Sequence, residues 1–185
     1  MKKMLLHSCC GPCSSSVLER LICDYDVTVV YYNPNIYPQE EYEKRKAEQI
    51  KLLNLAYPNV KFLDCDYNQN EYFDFVCGFE NEKEGGARCT KCFELRLSFT
   101  AKKAKELGFD CFTTTLSVSP YKNSKLLNEI GNKLSSQIGI EYIEADFKKK
   151  NGYLRSIELS KKYNIYRQHY CGCKFSIWFD ENKNS

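Results

Sequence analysis

Short β-rich runs alternate with longer runs of helical periodicity along nearly all of this 185-residue chain, and that alternation limits the fold more than any other feature. The β-rich runs are KMLLHS, DVTVVYYN, VKFLDCD, DCFTTTLS and IEYIEADF. Between them, breakers and capping residues predict helices beginning near Pro12, near Pro38, near Asn70, near Cys89 or Thr90, near Ser124 and near Gly152 or Tyr153. A strand whose successor comes only after a helix reaches it by a crossover, so the strands pair in parallel and helices cover the sheet. The predicted class is α/β, a parallel sheet flanked by helices. A chain of this length buries ~70% of its unfolded surface as one unit. No repeat or low-complexity linker divides it, so residues 1–185 read as a single domain, with the segment DENKNS at 180–185 as a frayed tail.

Hydrophobic residues make up 43% of the chain and charged ones 28%, so it is neither disordered nor membrane-embedded. No apolar run approaches the ~18 residues of a span, and MKKMLL leads into His7 and Cys9 in place of a signal-peptide core. The expected location is the cytoplasm. A formal net charge of +3 does not select a nucleic-acid partner by itself. The 11 cysteines carry more information, because a reducing compartment and an odd count both argue against a disulfide framework.

Seven cysteines fall in three groups: Cys9, Cys10 and Cys13 in HSCCGPCSSS, Cys89 and Cys92 in GGARCTKCFELRL, and Cys171 and Cys173 in YRQHYCGCKFS. The first group follows the first strand, where open α/β sheets build their sites. A Ser-rich loop there could also cradle phosphate, although CCGPCSSS matches neither dinucleotide nor P-loop patterns. CxxC spacing covers nearly one helical turn and lets two sulfurs face one metal, and adjacent Cys9 and Cys10 can reach different atoms of a polynuclear centre. Closed zinc sites need ligands in fours, whereas seven thiols divide as four plus three. Four suit a [4Fe-4S] cluster; three suit a further metal with an open position, or a pair cycling between dithiol and disulfide. The remaining Cys23, Cys65, Cys77 and Cys111 stand alone. Cys23, Cys77 and Cys111 have apolar or aromatic neighbours, read as small buried hydrophobes and are set aside as structural. The two histidines, His7 and His169, lie beside cysteine groups; His7 reads equally as a packed residue or a ligand, His169 as an orienting, proton-donating or merely exposed one.

Together HSCCGPC, YYNPNIYP, GGARCTKCFELRL, TTTLSVSPYKN, DFKKKNGYLRS and YRQHYCGCKFS resemble the epoxyqueuosine reductase QueH family, from about Met4 to about Phe179. The resemblance implies a HUP-like (adenine nucleotide α-hydrolase-like) core. It also implies the last step of queuosine biosynthesis, in which epoxyqueuosine at the wobble position of a tRNA anticodon is reduced to queuosine without cobalamin. It places a [4Fe-4S] cluster on Cys9, Cys10, Cys89 and Cys92. Cys171 and Cys173 become a redox-active dithiol or ligands of an additional mononuclear iron, joined by Cys13, a position where an aspartate can stand in relatives. These three are the expected catalytic residues.

Turning an epoxide into an alkene consumes two electrons and two protons and releases water. An electron donor outside the chain is therefore expected, and Tyr121, Lys122, His169 and Tyr170 are candidate proton sources. For tRNA, Lys148, Lys149, Lys150 and Arg155 beside Tyr153 are candidate phosphate contacts, while EEYEKRKAEQIKLL reads as an exposed helix with paired charges. Two other readings stand beside the reductase. An ATP-dependent tRNA sulfur-insertion enzyme would carry an SGGxDS-like loop where SCCGPC stands. A zinc-stabilised RNA-binding module would hold zinc without sulfide.

Overall fold

The structure, a computed structural model, describes the backbone of residues 1–181 and side chains as far as residue 177. Strands β1 (Lys2–His7), β2 (Tyr25–Tyr31), β3 (Lys61–Asp64), β4 (Cys111–Thr114) and β5 (Glu141–Tyr142) form one parallel sheet in the order β3-β2-β1-β4-β5. Around it run α1 (Gly11–Leu21), α2 (Gln39–Ala56), α3 (Gln69–Phe75), α4 (Ala87–Glu106), α5 (Ser124–Ile138), α6 (Gly152–Lys162) and α7 (Lys174–Glu181). The α/β class and parallel sheet expected from the alternation are those of the molecule. Helix α7 was not foreseen; Asp180 and Glu181 of the DENKNS segment continue it, and residues 182–185 lie outside the described ones.

Side-chain alternation along the central strands explains the two-sided core. Met4 and Leu6 of β1 join Val27 and Val29 of β2 in one cluster with Val17, Leu18 and Leu52 of α1 and α2. Leu5 and Val30 point the other way, into a cluster with Ala101 and Ala104 of α4 and Phe112 of β4. A strand buried on both faces reads as a continuous apolar run, which is why KMLLHS was legible. Several β-rich runs give shorter strands than expected, VKFLDCD only Lys61–Asp64 among them. In DCFTTTLS the Thr114 hydroxyl accepts from the Leu116 amide at 3.2 Å, turning the chain into a 3₁₀ turn over Thr115–Val118. In IEYIEADF the amides of Ala145 and Phe147 leave the sheet for Asn128 Oδ1 and Ser117 Oγ.

The isolated cysteines divide. Cys111 is fully buried in β4 as expected, but Cys23 and Cys77 are exposed and Cys65 is half-buried. Cys23 and Cys77 occupy turns just after α1 and α3, where apolar sequence neighbours belong to the helix face and leave the turn residue in solvent. No helix among the described residues is long and apolar enough to cross a membrane.

Gly152, the first residue of α6, closes the basic turn over 148–151. A Cβ there would lie 1.8 Å from the Phe147 carbonyl oxygen. Gly152→Ala is expected to destabilise the protein by about 1–3 kcal/mol, the scale of overpacking a buried position. Thermal unfolding checks this, and an unchanged midpoint would show that the turn adjusts freely.

Candidate metal centre

The sheet order reverses between β1 and β4, and the crevice at their carboxyl ends is where an open α/β sheet leaves room for a ligand. Residues 8–13 enter that crevice from β1, and Thr115 enters from β4. Cys10 is the N-cap of α1 with extended backbone, Pro12 fits the first turn, and Cys13 follows one CxxC step after Cys10. The sulfur atoms of Cys9, Cys10 and Cys13 all lie within 4.8 Å of one another, with Cys9 and Cys10 sulfurs 3.7 Å apart. Thiol donation from Cys10 and Cys13 holds Cys9 well below the usual thiol range, and the bonds of Cys13 to Cys10 and to Cys9 leave Cys13 well above it. The loop is braced from beneath by Gln49 of α2, whose Oε1 accepts from the hydroxyls of Ser8 at 2.6 Å and Ser14 at 2.7 Å.

Helix α4 supplies the second group. Cys89 and Cys92 occupy its first turns, so the amide end of the helix favours charge on their sulfurs. The Gly85 amide donates to Cys89 Sγ at 3.2 Å. Burial pushes the Cys92 thiol up to about 12 and raises Cys89 as well. One turn on, Arg96 is 2% exposed; its guanidinium reaches Cys92 Sγ at 3.9 Å, Asn33 Oδ1 at 2.5 Å and His7 Nε2 at 3.3 Å. His7 also meets Thr114 Oγ1 at 2.9 Å, and burial lowers its pKa to about 3. Of its two sequence readings, the packed, hydrogen-bonded one is what the geometry displays.

The third group arrives just before α7. Gly172 has φ +118°, a region favouring glycine, and a Cβ there would lie 2.9 Å from an Arg45 nitrogen. Arg45 of α2 donates to the carbonyls of Cys171 at 3.2 Å and Tyr170 at 3.3 Å, and pairs with Glu41 at 2.6 Å. The Tyr37 amide donates to the Gly172 carbonyl at 2.8 Å. Helix α2 is therefore not merely an exposed charged helix: Tyr42, Arg45, Gln49, Leu52 and Leu53 form a buried face, and two of its polar members set the cysteine loops.

All seven clustered cysteines meet at two adjoining cavities or just beneath them. The larger, about 490 Å³, is lined by Cys9, Cys13 and Cys171 together with Tyr153, His169 and Tyr170. The smaller, about 130 Å³, is lined by Cys89, Cys92, Cys171 and Cys173. Arg96, Tyr121, Lys122 and Cys171 line both, while buried Cys10 receives the Gln168 amide at 3.0 Å. Helix α4 also folds a cover over this region: Arg88, 1% exposed, donates to the carbonyls of Phe79, Glu80 and Glu82, and Glu84 and Gly85 of that loop line both cavities.

The charge distribution fits an anionic, sulfur-ligated centre. Arg96 is buried without a carboxylate partner among the described residues, and so is the half-buried Lys122. Burial would lower the Lys122 pKa, but the nearby sulfurs of Cys171, Cys9 and Cys13 act the other way and raise it overall. Buried cations are costly unless paired with negative charge, and the sulfurs of this region, with what they bind, are placed to provide it. The soft donor set suits iron–sulfur chemistry, and Asn35 of the smaller cavity has a buried Oδ1 with no partner among the described residues.

Sequence reasoning missed Arg45, Arg96 and Gln49. Arg96 was detectable in principle as the residue four after Cys92 on the same helical face. Of the candidate phosphate contacts, Arg155 is held by Glu19 and Glu158 at 2.8 Å each and Lys148 by Asp146 at 3.3 Å, which leaves Lys149 and Lys150 exposed.

A family model described as "Epoxyqueuosine reductase QueH" matches residues 4–178. Curated relatives carrying that description include one from Streptococcus pyogenes serotype M1, 46% identical over 94% of this chain and 69% of its own length. Others come from Acinetobacter baylyi, at 41% over 95% and 80%, and Thermotoga maritima, at 34% over 96% and 91%. Among solved structures, a predicted subunit of tRNA methyltransferase from Methanocaldococcus jannaschii shares the fold. Its TM-score is 0.53 at 13% identity, covering 83% of this chain and 73% of that one.

Proposed function

The chain belongs to the epoxyqueuosine reductase QueH family, and on that premise we propose how its residues carry out the reduction of epoxyqueuosine in tRNA to queuosine. A [4Fe-4S] cluster on Cys9, Cys10, Cys89 and Cys92 and a substrate-facing centre at Cys13, Cys171 and Cys173 divide the seven thiols. The observation that carries this reading is the convergence of three distant cysteine groups on adjoining cavities beside two cations lacking carboxylate partners. When bound, such a cluster supplies electrons singly, and an iron with an open position polarises the epoxide oxygen.

The chain's own residues do the rest. Arg96 fixes Cys92 and offsets negative charge at the sulfurs. Lys122, in the wall between the cavities, holds positive charge where an oxyanion develops as the C–O bond opens. Among the candidate proton sources, the Tyr170 hydroxyl donates to the Tyr37 carbonyl at 2.7 Å and burial raises it to about 12, so it serves as an orienting group. His169 also lines the larger cavity and is placed to deliver a proton, while Lys122 keeps its charge. Electrons enter from a donor outside the chain.

Anaerobic purification followed by iron, zinc and acid-labile sulfide analysis tests the reading. About four sulfides with four or five irons per chain are expected. The same preparation with a chemical reductant should convert epoxyqueuosine in tRNA. Zinc without sulfide after attempted reconstitution, or no conversion by the iron-loaded protein, would overturn it.

A further inference from the structure

Tyr121 is 84% exposed, the most exposed large apolar side chain among the described residues, yet its backbone is anchored beside the site. It lines both cavities at their common mouth. Pro120 precedes it, its amide donates to Ser119 Oγ at 3.3 Å, and Asn123 two residues on caps α5 through the amides of Lys125 and Leu126. The basic turn over 148–151 is tied to the same loop, because Lys148 Nζ donates to the Lys122 carbonyl at 3.1 Å. Arg20 pins that turn from the far side through the carbonyls of Lys149 at 3.0 Å and Lys150 at 3.2 Å. Lys149 and Lys150 themselves are exposed and form no ion pair among the described residues.

An exposed ring on a backbone-anchored turn that lines a cavity of about 490 Å³, tied through Lys148 to a turn bearing two exposed lysines, has the elements of a single-strand RNA seat. Every base offers a face for stacking on an aromatic ring, and Lys contacts to phosphates supply the salt-dependent part of affinity. We propose that Tyr121 is the stacking platform for the nucleotide entering the cavity, or for its immediate neighbour, and that Lys149 and Lys150 hold the adjoining RNA phosphates. The proposal rests on the tRNA reading above. It assigns Tyr121 a positioning role through its ring, and no role as a proton donor.

Binding and steady-state turnover of full-length tRNA bearing epoxyqueuosine test it. Tyr121→Ala is expected to raise Kd and KM about ten- to a hundredfold, the scale of one lost base stack, with a smaller change in kcat. Tyr121→Phe and Tyr121→Trp should stay near wild type because both keep a ring. Replacing Lys149 and Lys150 together by Ala should flatten the slope of log Kd against log salt by about 1.4, whereas Lys61→Ala on β3, at the opposite edge of the sheet, should not. Unchanged binding by Tyr121→Ala overturns the proposal, as does a loss in Tyr121→Phe equal to that in Tyr121→Ala, which would assign the role to the hydroxyl. If the wild-type, iron-loaded protein neither binds nor converts this tRNA, the functional reading falls first and the proposal with it.

Discussion

Cys89→Ala is expected to remove nearly all cluster-associated visible absorbance and iron from the anaerobically purified protein, and Cys10→Ala to do the same. Donation from Cys13 lowers the Cys10 thiol, but its bond to Cys9 and its burial outweigh that and raise it to about 11, and burial raises Cys89 as well. A thiol that burial keeps protonated loses its proton on metal binding, so each of these sulfurs contributes most when the centre is assembled. Each also sits at the amide end of a helix, α1 for Cys10 and α4 for Cys89, and Cys89 has the Gly85 amide in addition. Alanine removes one of four proposed ligands from a site whose remaining cations, Arg96 and Lys122, repel any partly ligated iron left behind. Neither substitution should unfold the chain, because the sheet core at Met4, Leu5 and Leu6 does not include these side chains. Absorbance and iron retained in both variants would sink the ligand assignment.

Cys171→Ala is expected to keep the absorbance while turnover falls by roughly 10²-fold or more, the scale of losing a group that stabilises charge at the reacting atoms. Cys171 lines both cavities, and it alone of the seven clustered cysteines does so. Its placement depends on Gly172 and on Arg45, so Gly172→Ala should share part of the loss in turnover without changing any sulfur ligand. The spectrum carries a further discrimination. Cys89, Cys92, Cys171 and Cys173 line the smaller cavity together, so loss of absorbance in Cys171→Ala would move the cluster onto those four and leave Cys9, Cys10 and Cys13 as the second set. Full activity in Cys171→Ala would contradict any redox or metal-binding role for it.

The sequence by itself determined the layer architecture and the chemical class of the site. Alternating β-rich and helical runs require crossovers, and apolar runs such as KMLLHS mark strands covered on both faces; both signals are local and survive without tertiary information. Cysteine spacing is local in the same way, so CxxC and CxC announced sulfur chemistry before any fold was known. Local patterns also misled where burial depends on what packs from afar, as with Cys23 and Cys77, which have apolar neighbours and face water. Only the tertiary structure decided which groups share the crevice. The reversal of strand order between β1 and β4 opens it, and contacts between residues far apart in sequence furnish it: Arg96 of α4 with His7 of β1, and Arg45 of α2 with the Cys171 carbonyl. A charged residue reads as solvated until a partner comes to cover it, and here Arg45 and Arg96 on helices and Lys122 in a turn draw their roles from sulfur-bearing loops that the sheet topology brings to them.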